Sequence, residues 1–136
     1  MHPDLAALLE LQSKDLALME VDGRLEALDR ELAALDQALA RARESAAAAR
    51  RAAQDAARRR DELEAKIQSY RTIQERRRQR LDHTRNAKEA AALMAELDLA
   101  RSVLAKEESE WFRLADGVAS LEAQAVEAER QAEEFA

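Results

Sequence analysis

From Asp4 to Ala136 the chain contains no proline. No other feature limits its fold as strongly, because proline is the residue that most dependably ends a helix. The only glycines are Gly23 and Gly117. An isolated glycine costs a helix about 1 kcal/mol against alanine, so neither has to end one. Composition narrows the outcome further: 37% of residues are charged, 47% are apolar, chiefly alanine and leucine, and only 3% are aromatic. Such a chain lacks the bulk for a layered core and the β-branched, turn-punctuated segments of a sheet, and it suits long helices joined along a thin seam.

A heptad reading locates that seam. Alternating steps of three and four residues select Leu25, Leu28, Leu32, Leu35, Leu39, Ala42, Ala46, Ala49, Ala53, Ala56, Arg60, Leu63, Ile67 and Tyr70, with one charged member. The same steps later select Ala90, Leu93, Leu97, Ala100, Leu104, Glu107, Trp111, Leu114, Val118, Leu121, Ala125, Ala128, Ala132 and Phe135, again with one charge. Between the two series lies the polar cluster Asp82-His83-Thr84-Arg85-Asn86. Asn86, followed three residues later by Glu89, has the form of a capping box that starts a second helix.

The expected fold is therefore all-α: a long antiparallel coiled-coil hairpin with its turn near residues 82–86 and arms 24–81 and 86–136. A turn centred between His83 and Thr84 sets Arg60 opposite Glu107, so that the two charged layers meet with opposite sign. The same register sets Ala56 opposite Trp111, Ala53 opposite Leu114, Ala49 opposite Val118 and Ala46 opposite Leu121, small residues against large ones. A slip of one heptad leaves Arg60 facing Ala100 or Leu114 without a counter-charge, which is disfavoured. Arg60 and Glu107 thus read as a register pair, against the simpler alternative that both reach out to solvent from a narrow seam.

In this register Leu32 meets Phe135, and the segment before about Glu31 has no partner. That segment is the richest in leucine. Leu5, Leu8, Leu9, Leu16 and Met19 belong to a face wider than a two-helix seam uses, which suits residues 1–23 to dimerisation or docking. Homodimerisation is the expected outcome, with a fold-back at Gly23 or a continuation past Ala136 as the alternatives.

Charge is segregated along the rod. Residues 1–40 carry nine acids and three bases, residues 41–88 seven acids and fifteen bases, and residues 89–136 twelve acids and four bases. The net −6 of the whole chain is therefore the sum of an acidic, a basic and another acidic third. The basic third culminates at the turn in Arg71, Arg76, Arg77, Arg78, Arg80, Arg85 and Lys88. These residues either balance acids of the second arm, such as Glu89, Glu96, Asp98, Glu107 and Glu108, or form a positive tip for RNA, DNA or an acidic protein. With Tyr70 the only aromatic near the tip, base stacking has little support.

Catalytic chemistry is not expected. The chain has no cysteine, only His2 and His83 as histidines, no phosphate-binding glycine loop and no nucleophile with a base. No cofactor or metal is expected either. No uncharged run exceeds the six residues Ala90–Ala95, so no membrane span is expected. The protein reads as cytoplasmic.

Two stretches resemble a known family. The start Met1-His2-Pro3-Asp4-Leu5-Ala6-Ala7-Leu8-Leu9-Glu10-Leu11-Gln12, with Asp15 following, is similar to the N-terminus of bacterial proteins that join a coiled-coil hairpin to a C-terminal four-cysteine zinc ribbon. After the turn, Lys88, Glu89, Ala92, Leu93 and Glu96 match that family's Asn-Lys-Glu-Tyr-x-Ala-Leu-x-x-Glu pattern, while Ala87 and Ala90 replace its Asn and Tyr. The resemblance implies a hairpin adaptor with a protein partner. Some members are linked to the nitrogen-type alternative sigma factor, RpoN, and to flagellar or type III secretion regulation, and nucleic-acid binding is also ascribed to the family. The zinc ribbon itself is absent from these residues, so its metal and its contacts do not carry over.

Overall fold

The structure, a computed structural model, describes residues 2–136. It consists of two helices, α1 (Pro3–Asp82) and α2 (Ala87–Phe135), packed against each other, and the described residues contain no strand. At 1.5 Å per residue they are rods of about 120 Å and about 74 Å. Both glycines lie inside helices with negative φ, so α1 passes straight through Gly23 and does not fold back there. The expected segment 1–23, of which Met1 lies outside the described residues, is continuous with the rest of α1.

Local chemistry accounts for the helix ends. The His2 side chain accepts a hydrogen bond from the Asp4 backbone N–H at 3.1 Å, and Pro3 occupies the first helical position, where its missing N–H costs nothing. At the turn, Asn86 Oδ1 accepts from the backbone N–H groups of Lys88 at 2.9 Å and Glu89 at 3.5 Å. The cap expected at Asn86 is thus present in its forward half.

The heptad positions are also where the reading put them for most of the hairpin. Between Leu39 and Tyr70 every selected residue of α1 is buried or half-buried, and so is every selected residue of α2 from Ala90 to Ala132. The tightest points are Ala53, Val118 and Ala125, at 2%, 1% and 0% exposure. The exceptions lie at one end: Leu25, Leu28, Leu32 and Leu35, expected in the seam, are 53–58% exposed, and Phe135 is 47% exposed.

A different register explains those exceptions. Glu107 pairs with Lys66 (3.6 Å), Glu108 with Arg71 (2.8 Å) and Glu129 with Arg50 (2.8 Å). A reversal between His83 and Thr84 would have set these glutamates opposite positions 60, 59 and 38. Because side chains lean toward their own helix N-terminus, paired tips overstate the shift, and α2 lies on the order of one heptad nearer the turn than expected. The cause is the connection. His83 keeps a helical backbone, Thr84 still bonds back to Leu81 and Arg80 and stays half-buried, and Asn86 is extended (φ −84°, ψ 120°). The chain therefore advances further before it reverses.

The Arg60–Glu107 pairing is accordingly replaced. Arg60 donates to its neighbour Asp61 at 3.2 Å and Glu107 faces Lys66; their side chains keep 30% and 25% exposure. In so thin a seam both charges reach water, and the burial penalty invoked against a slip does not arise. Small against large gives way likewise at the distal end, where Ala46 and Ala132 line one groove. Ala46 does not stand against Leu121 there.

Candidate functional site

Three features stand out from the rod. The first is the free arm of α1. Residues 3–37 are all exposed, about 50 Å of helix without a partner. The expected docking residues Leu5, Leu8, Leu9, Leu16 and Met19 are 48–69% exposed, and the arm adds Leu11, Leu18, Val21 and the four leucines displaced from the seam. The shift of register lengthens this arm beyond the expected boundary near Glu31. Its three bases are engaged locally: Lys14 with Glu10 at 3.9 Å, Arg24 with Glu20 at 2.9 Å, and Arg30 with the Glu26 carbonyl at 3.4 Å.

The second feature is the basic tip. Arg71 crosses to Glu108, and Arg78 lies 3.9 Å from Glu75 on its own helix. Among the described residues, Arg76, Arg77, Arg80, Arg85 and Lys88 form no ion pair. The acids expected to neutralise them are partly committed elsewhere, Glu107 to Lys66 and Asp98 to Arg101. Arg80 lines a shallow groove with Thr84, Glu89 and Glu96, while Lys66 stands 5.7 Å over the Tyr70 ring. Of the seven expected tip cations, one is thus bonded across the seam.

The third is an aromatic step on the flank. Trp111 enters the seam and Phe112 projects with 65% exposure, the two rings meeting edge to face at 5.3 Å. With Ile67, Gln68, Arg71 and Glu108 they border a groove of about 270 Å³. The Trp111 Nε1 atom is buried without a hydrogen-bond partner. The expected division, Trp111 in the seam and Phe112 on the flank, holds.

A bidentate contact joins the two helices near the end of α2. Arg50 donates Nε–H and Nη2–H to the two Glu129 oxygens at 2.8 and 2.9 Å. These bonds hold the Glu129 carboxyl below the ordinary glutamate range and raise the Arg50 guanidinium above its own. Arg113 on Glu110 and Arg130 on Glu127 lower those carboxyls in the same way along the outer face of α2. The signal was legible: Arg50 and Glu129 each follow a seam alanine, Ala49 and Ala128, so both occupy the flank row that borders the seam.

Among the described residues no group of three or more His, Cys, Asp or Glu side chains could hold a metal ion, and no helix is long and apolar enough to cross a membrane. The geometry defines a class: a two-helix antiparallel hairpin with one arm left over. No family model, curated protein or solved structure matches the chain.

Proposed function

We propose that this protein is a non-enzymatic hairpin adaptor that binds a protein partner through the free arm of α1. The observation that supports it most is the 35 exposed residues 3–37, along which the seam leucines of α1 continue beyond the end of α2. A helix held straight with its apolar stripe in water presents the kind of surface that partner helices cover. The family resemblance points the same way, toward a regulatory adaptor of transcription, with an RpoN-type sigma factor as partner, or of flagellar and secretion control. The test is a photo-crosslinking amino acid at Leu28, compared with the same group at Ser109 on the outside of α2, in cells expressing the complete chain. A discrete protein adduct at Leu28 alone is expected. Adducts only to a second copy would make the protein a self-associating spacer, and no adduct would remove the adaptor reading.

A second reading, nucleic-acid binding through the tip, is favoured by the five cations there that have no ion-pair partner among the described residues. Charge reversal at Arg76, Arg77 and Arg80 should abolish any RNA or DNA binding seen at physiological salt. Binding that vanishes between low and physiological salt in the unaltered protein would reduce it to nonspecific attraction.

A further inference from the structure

The flank row of α1 is mixed along the hairpin, with Arg71, Glu64, Ala57, Arg50 and Arg43, and uniformly acidic from Asp36 to Asp15 along the free arm. In the hairpin, Arg50 and Arg71 occupy the same heptad position, three heptads apart, and bond to Glu129 and Glu108, which are also three heptads apart. Followed toward the N-terminus in steps of seven, that row reads Arg43, Asp36, Asp29, Asp22 and Asp15. All four aspartates are exposed, and among the described residues none is in an ion pair, the bases of the arm being held by Glu10, Glu20 and the Glu26 carbonyl. They border the stripe Leu18, Val21, Leu25, Leu28, Leu32 and Leu35, which continues the established α1–α2 seam.

We infer that the free arm takes a helix of a partner protein with an apolar seam and with Lys or Arg at heptad spacing opposite Asp15, Asp22, Asp29 and Asp36. This rests on the adaptor reading and specifies the chemistry of the partner. Flank charges select partner and orientation along a coiled-coil seam. Two copies of the arm fail that criterion in either direction. Antiparallel, the aspartate row meets itself. Parallel, it meets the other flank row, Glu10, Ala17, Arg24 and Glu31, where Arg24 alone supplies an opposite charge. A basic helix satisfies all four positions, as α2 does for Arg50 and Arg71 with the signs exchanged.

The test uses the complete chain and two synthetic helices of about 35 residues, the length of the arm. Both carry leucine at the seam, one with lysine and one with glutamate at the flank positions, and binding is followed by fluorescence anisotropy. The lysine peptide should bind about tenfold or more tightly than its twin, as expected for four exposed ion pairs. The D15K/D22K/D29K/D36K variant should reverse that preference while keeping its helical circular dichroism. Equal binding of both peptides, binding of neither, or a preference that survives the charge reversal would overturn the proposal, as would sedimentation of the unaltered chain as a dimer through the arm. If the lysine peptide fails while the Leu28 crosslink still captures a protein, the adaptor reading stands and the basic-helix partner falls. If the peptide preference appears without any cellular adduct, the adaptor reading fails and the partner inferred from it falls with it.

Discussion

Arg50 and Glu129 stand 79 positions apart in the chain and are joined by two nearly equal hydrogen bonds of 2.8 and 2.9 Å. A paired fork of this kind fixes direction as well as distance, so it marks how the two helices are staggered near the end of α2.

The Glu129 carboxyl lies below its ordinary range because of those bonds. A depressed carboxyl contributes stability that is fully present above its unfolded-state pKa and is lost as pH falls through the folded one. The unaltered chain should therefore be more thermostable than the E129Q variant at neutral pH, and the difference should close as pH falls below about 4.5, the ordinary glutamate value. Melting curves followed by circular dichroism across that range check the sign; an advantage that persists undiminished in strong acid would contradict it.

Val118 is 1% exposed between the helices. Replacing it with alanine removes two buried carbons and leaves a void, at a cost of roughly 1–3 kcal/mol. The same truncation at Leu28, which is 53% exposed, should stay within about 0.5 kcal/mol in the isolated chain. Denaturant titration of the two variants separates seam from arm, and equal losses would place Leu28 in a packed interface.

Asn86 caps α2 through Oδ1. Asn86→Ala should cost about 1 kcal/mol, while Asn86→Asp, which keeps an acceptor at a helix N-terminus, should cost little. Unfolding midpoints of the pair measure this directly.

A double-mutant cycle reports the register. Lys66 and Glu107 should couple by about 0.2–1 kcal/mol, the range of exposed ion pairs. Arg60 and Glu107 should show no coupling, since Arg60 bonds to Asp61. Coupling of the second pair and not the first would restore the shorter turn.

Amide hydrogen exchange should divide α1 in two. Without a partner, residues 3–37 have only their own helical bonds to protect them, whereas residues 39–81 are backed by α2, so the arm should exchange well before the hairpin.

Much of this molecule was legible in its amino-acid order. The lack of proline, the alternating steps of three and four, and Asn86 ahead of Glu89 act over a few residues each, and they determined the helices, the seam positions from Leu39 to Tyr70 and from Ala90 to Ala132, and the place of the turn. The stagger was not determined, because a heptad pattern slipped by seven residues presents the same faces. Arg60 and Glu107 looked able to break that degeneracy, but a two-helix seam leaves both side chains a route to water. The stagger goes with the path through His83 and Thr84, where His83 stays in the helical region and Thr84 bonds back to Leu81 and Arg80 before the chain reverses. That single tertiary choice moved four leucines out of the seam and left a longer arm free, since only the packed partner can determine which of several equivalent layers an apolar stripe meets.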